Sequence, residues 1–141
     1  MKEKLDRRKT YGVHVANAEE TCRMYALLEI TVPPGSGPPP HTHLKEDEGF
    51  YVLEGSFRVW VDGSEPVDLG AGEHAFGPRK VGHYFRNIGD TPGRLLLMFT
   101  PGGCERYFAD LAAARANPGD DLLEREEAID RKYCIYINRR V

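Results

Sequence analysis

Glycine and proline cut this chain into short apolar runs, 15 of the one and 10 of the other in 141 residues, a pattern that suits a turn-rich β protein better than a helix bundle. Met24 to Val32 is apolar and continuous enough for a strand, and it stops at Pro33-Pro34-Gly35, where two prolines remove ladder donors and the glycine permits a turn. Pro38-Pro39-Pro40 then holds the backbone extended, so the following residues leave a stiff loop. A strand is predicted from Glu48 to Leu53. Ser56 to Val61 alternates Phe57, Val59 and Val61 with Arg58 and Trp60, the period of a half-buried strand. Asp62-Gly63 predicts a type I′ hairpin turn from which Val67 to Leu69 returns antiparallel. Gly70-Ala71-Gly72 makes another bend. Ala75 to Pro78 and His83 to Asn87 are two more short strands, and Arg94 to Thr100 is predicted as a strand buried on both faces. Strands at this spacing are expected of a sandwich or barrel.

After Pro101-Gly102-Gly103 the period changes. Tyr107, Phe108, Leu111 and Ala112 recur at helical spacing, Pro118-Gly119 breaks the pattern, and Asp120 or Asp121 can cap a second helix reaching Lys132, with a last strand over Cys134 to Ile137. The expected organisation is one all-β domain: an N-terminal arm or edge strand over 1–20, a barrel over 21–103, and a C-terminal helical segment over 104–141 packing on the barrel.

Charge narrows the partners. Lys plus Arg total 19 against 22 Asp plus Glu, so no global basic field would attract nucleic acid or anionic lipid. Met1 to Thr10 has no apolar signal-like core, and the longest apolar run, Leu95 to Phe99, is too short to cross a bilayer; the expectation is a cytoplasmic protein. Cys22, Cys104 and Cys134 are odd in number and widely spaced, which makes neither a disulfide framework nor a Cys-x-x-Cys site, and burial as plain thiols is expected.

The chemistry gathers elsewhere. His41 and His43 lie two apart in an extended segment, so both imidazoles leave the same face. Glu48 opens the next strand after a short charged turn, and His83 comes from a strand that could pack opposite. Three neutral imidazoles and one carboxylate suit a single divalent transition ion (Fe, Mn, Ni, Co, Cu or Zn) and not calcium or magnesium, which prefer all-oxygen shells. His14 and His74 stand outside this pattern.

Gly35, His41, His43, Glu48 and Gly55 fill every position of the first cupin motif, and Gly72, Pro78, His83 and Asn87 fit the second, whose internal glycine is replaced by Lys80. The chain therefore resembles the cupin superfamily, and the resemblance implies a jelly-roll β-barrel (a double-stranded β-helix) with C-terminal helices. The complete ligand set resembles that of quercetin 2,3-dioxygenases and single-domain relatives. By that resemblance His41, His43 and His83 hold the ion, while Glu48 both ligates it and accepts the substrate proton as the catalytic base, a role that an apolar pocket would favour by raising its pKa.

Phe50, Val52 and Phe85 share the ligand face at period two and are the candidate substrate pocket, with core packing as the alternative. Tyr25, Leu27, Met98 and Phe108 could also reach the cavity, and Asn87 reads as a strand-end hydrogen bonder. The expected substrate is a small, largely apolar or aromatic enol or carbonyl compound. Small cupins also include polyketide cyclases and isomerases that use a Lewis acid without redox chemistry, and non-catalytic binding modules. A homodimer is expected, because a small β domain leaves edge strands to cover, with Arg8 to Val15 and Tyr133 to Ile137 as the segments that would cross over.

Overall fold

The computed structural model describes residues 12–138; the rest of the predicted N-terminal arm, 1–11, lies outside the described residues. In chain order these residues form β1 (Gly12–Ala16), β2 (Ala26–Val32), β3 (His41–His43), β4 (Asp47–Glu54), β5 (Phe57–Val61), β6 (Val67–Leu69), β7 (His74–Gly77), β8 (His83–Asn87) and β9 (Gly93–Thr100). The helices α1 (Arg106–Ala116) and α2 (Leu122–Lys132) follow, and β10 (Ile135–Ile137) ends the described chain. Two antiparallel sheets result, in the orders β1-β2-β9-β4-β7 and β10-β3-β8-β5-β6. This is the expected mostly β jelly roll with two C-terminal helices.

Period two decides what the sheets bury. Leu28, Ile30 and Val32 of β2, Phe50 and Val52 of β4, and Leu95, Leu97 and Phe99 of β9 point into one core shared with Phe57, Val59 and Phe85 of the facing sheet. Their neighbours point away: Met98 is 40% exposed and Phe76 53%. The prediction that β9 is buried on both faces is therefore corrected. It lies inside its sheet, paired with β2 and β4, yet only one face of that sheet packs against the other. The same alternation turns Leu27 and Met98 outward, and Tyr25 precedes β2 as an exposed residue, so none of the three reaches the interior. Phe108 packs against the core beside Phe99.

Two turns differ from the sequence prediction. Gly63 has a positive φ of 82° but Asp62 does not, and β6 pairs with Phe57 to Val59 only, so the β5–β6 connection is longer than a two-residue type I′ hairpin. The Ser64 N–H donates to the Val61 carbonyl at 3.0 Å, and Pro66, which has no N–H, cannot join a ladder, so pairing with β6 starts only at Val67. Asp121 stands at the N-cap of α2 without making a side-chain cap hydrogen bond; its carboxylate pairs with Arg125 at 3.2 Å.

The helices do more than cover the barrel. Tyr107, Leu111, Ile129 and Tyr133 pack on the core, and α2 returns the chain so that β10 pairs with β3, Ile135 opposite His43 and Ile137 opposite His41. The backbone N–H of Leu44 donates to the Cys134 carbonyl at 3.0 Å, and that of Asn138 donates to Pro40 at 2.9 Å. A three-residue strand that would otherwise fray is thereby held between β10 and β8.

Lys80 occupies the place where the second motif has glycine, and its φ is +65°. The left-handed turn is thus retained by a residue with a Cβ, at a cost of about 1–2 kcal/mol. The backbone N–H of Lys80 donates to the His43 carbonyl at 2.7 Å, which explains why the turn holds its shape. Lys80→Gly should relieve the strain and raise the melting temperature by a few degrees in thermal denaturation. An unchanged or lower midpoint would refute that account.

Candidate metal centre

β3, β4 and β8 bring four side chains to one point inside the barrel. Glu48 Oε2 lies 2.7 Å from His83 Nε2, 3.1 Å from His43 Nε2 and 3.8 Å from His41 Nε2. His43, Glu48 and His83 are buried and His41 is partly open, so the cluster is reached from the His41 side. The two-residue spacing on β3 puts both of its imidazoles on one face, and the single His41↔His83 pairing sets β8 beside it. Gly77 lies opposite Glu48 in register, and a Cβ there would stand 2.9 Å from His83 Nδ1; the bare glycine makes room for the ring.

The far edges of the rings fix their tautomers. His41 Nδ1 lies 2.9 Å from the Pro39 carbonyl and His83 Nδ1 lies 3.1 Å from the Val81 carbonyl. A carbonyl only accepts, so each Nδ1 carries a hydrogen, and each Nε2 faces Glu48 either protonated, as a hydrogen-bond donor, or as a lone pair. Lone pairs facing a carboxylate at these distances repel unless a cation, either a proton or a metal ion, lies among them.

Burial pushes the Glu48 carboxyl up, but hydrogen bonds from His41, His43 and His83 outweigh it and hold the group well below the usual carboxylate range. Burial likewise pulls His83 down, while the hydrogen bond and charge of Glu48 carry it above its ordinary value. The expectation that an apolar pocket raises the Glu48 pKa is overturned here, because the three imidazoles supply more stabilisation of the charged form than desolvation removes.

Phe50, Val52 and Phe85 are on the ligand side of the core, all buried. Phe50 stands 5.5 Å from His83 and 5.9 Å from Phe85 between ring centres, and Phe99 stands 5.6 Å from His43. His74 is exposed on β7 and stands apart from the cluster, and His14 belongs to the edge strand β1, opposite Leu28 in register. Asn87 is a strand-end hydrogen bonder, donating to Val32 and Thr91 and accepting from Gly89. Among the cysteines Cys104 is buried, Cys22 is exposed and Cys134 is intermediate, so the expectation of burial holds for one of three.

Sequence reasoning missed two residues beside this cluster. Glu46 belongs to the short charged turn before Glu48, yet it is buried, and Cys104 Sγ comes within 3.6 Å of His43 Nδ1. Spacing gives a hint only for Glu46, three residues from His43; Cys104 is brought in from sixty-one residues away by the turn that precedes α1.

The sequence is similar to quercetin 2,3-dioxygenase of Bacillus subtilis, 27% identical over 84% of this chain and 37% of that protein. It is also similar to the tetracenomycin polyketide synthase protein TcmJ of Streptomyces glaucescens, 35% identical over 53% of this chain and 50% of that protein. The crystal structure of TT1209 from Thermus thermophilus superposes with a TM-score of 0.58 at 28% identity, over 68% of this chain and 87% of that one. The chain spans less than two thirds of the length of the curated relatives it matches. The model of the cupin domain matches residues 28–99, just over half of the sequence and including all four clustered side chains, and with the two-sheet fold this makes the chain a member of the cupin domain family.

Proposed function

We propose that the chain is a metal-dependent enzyme acting on a small, largely apolar or aromatic enol or carbonyl compound, of dioxygenase type. One divalent transition ion would be held by His41, His43, Glu48 and His83. The observation that carries this reading is the convergence of three Nε2 atoms on one buried carboxylate oxygen, with the His41 and His83 rings anchored from behind by backbone carbonyls. A donor set of imidazoles and carboxylate with ordered outer partners fits such an ion. When bound, the ion supplies Lewis acidity toward a carbonyl or enolate oxygen and, if redox-active, electron transfer toward dioxygen.

The protein's own groups divide the remaining work. Glu48, held ionised, is ready to accept a proton, and its low pKa makes it effective only toward a substrate proton already made acidic. Phe50 packs against His83 and keeps water from that side of the site. His41, the most exposed of the four, leaves the approach by which a substrate would arrive. Similarity to the polyketide synthase protein favours a second reading, in which the same four residues serve a cyclase or isomerase without redox chemistry. A non-catalytic small-molecule-binding cupin is the third. Oxygen uptake with a flavonol or related enol, measured on protein of known metal content, separates the first from the others.

His41→Ala, His43→Ala and His83→Ala should each lower metal occupancy severely in elemental analysis, because the remaining ligands lose preorganised geometry. One full equivalent retained in all three variants would end the assignment. Glu48→Gln should keep much of the ion through three imidazoles while turnover per bound ion falls about a hundred- to ten-thousand-fold, the usual worth of a general base. Equal activity per ion in the two proteins would show that Glu48 is not the base.

The assembly proposed is a homodimer. β1, β7, β6 and β10 are sheet edges among the described residues, and Phe76, Met98 and Tyr51 are exposed on the outer face of the first sheet. Light scattering at micromolar concentration should return twice the chain mass; a monomeric mass would contradict the proposal.

A further inference from the structure

The ring of His43 has two edges. Its Nε2 faces Glu48, while its Nδ1 meets no backbone carbonyl among the contacts that fix the other two rings. Instead Nδ1 faces Cys104 Sγ at 3.6 Å and Glu46 Oε2 at 3.9 Å. We propose that His43 Nδ1, Glu46 and Cys104 form a second cation site, for a thiophilic divalent ion of the zinc or cadmium kind, back to back with the four-residue cluster.

Four observations carry this. One ligand-type atom from each of the three residues lies within 4.8 Å of the others, and all three residues are buried. Glu46 Oε2 is buried and without a hydrogen-bond partner, a condition that a charged oxygen does not tolerate cheaply in an interior. The distances fit: ligands at about 2.0 Å for nitrogen and 2.3 Å for sulfur around a tetrahedral ion stand about 3.6 Å apart. The oxygen is a little far, and rotation of the Glu46 carboxyl closes that gap. Finally, the surroundings are negative. The carboxylates of Glu46, Glu48 and Glu105 all lie near Cys104, so a cation there would meet negative charge on several sides. Glu105 itself is spoken for, accepting from the backbone N–H groups of Ala18 at 2.8 Å and Gly103 at 2.6 Å.

Filling the site replaces protons with a cation and moves no electrons. The Cys104 S–H bond breaks as the sulfur–metal bond forms, and the proton leaves to solvent; if Nδ1 carries a hydrogen, that proton leaves too. Where an ion also sits at Nε2, His43 becomes a bridging imidazolate. The second site does not require the first to be filled, since the two share only this ring.

The test uses the full chain with Cys22→Ser and Cys134→Ser, stripped with chelator and titrated with cadmium ion while sulfur-to-cadmium charge-transfer absorption is followed. The band should grow to saturation at one thiolate per chain, and adding Cys104→Ser should abolish it. Glu46→Gln should shift its midpoint at least tenfold toward higher cadmium. His41→Ala, which touches only the four-residue cluster, should leave the band in place, so failure of that cluster and failure of this site give different results. Absence of the band in the folded parent, an unshifted midpoint in Glu46→Gln, or loss of the band in His41→Ala would each overturn the proposal.

Discussion

A carboxylate almost sealed from water needs positive charge beside it, and the architecture around Glu48 follows from that need. Its side chain is 3% exposed, and three imidazole nitrogens from two strands of the opposite sheet approach one of its oxygens. Removing such a charge from water costs several kcal/mol after relaxation, which only close, well-aimed partners can offset. The two sheets are therefore joined at this point by electrostatics as well as by the apolar core below it.

Holding the partners in place takes most of the chain. β3 is only three residues long and carries two of the imidazoles, so it depends on β10 on one side and β8 on the other. The strained turn at Lys80 adds a hydrogen bond to the His43 carbonyl, and the missing side chain at Gly77 admits the His83 ring. The helices matter to the site because they deliver β10 and the turn that brings in Cys104. The ring of His43, gripped by Glu48 at one edge and by Cys104 and Glu46 at the other, is the member of the cluster without a backbone carbonyl behind it in the contacts that fix the other rings.

Much of this was legible in the residues alone. His-x-His in an extended segment can only present both rings to one side, and alternation in β5 can only give one sheet face to the core, so the paired imidazoles and the strand-rich fold were readable from spacing. Turn chemistry was less legible. Asp62-Gly63 looked like a tight hairpin, but the turn closes from Ser64 onto Val61 and Pro66 lacks the N–H that a ladder needs, so β6 pairs only from Val67. Continuous hydrophobicity in β9 suggested two buried faces, yet hydrophobicity does not state how many faces a neighbouring layer covers.

The sequence by itself determined the residue types of the cluster, the strand period that aims them and the breaks at Pro33 after β2 and Gly55 after β4, because these depend on local backbone geometry. Only the tertiary structure decided that the Glu48 pKa falls instead of rising, since the sign depends on whether three imidazoles or desolvation contributes more, and that balance exists only once distant strands meet. Only the tertiary structure placed Cys104 behind His43 and closed β3 with β10, contacts made across sixty or more residues that no local period encodes.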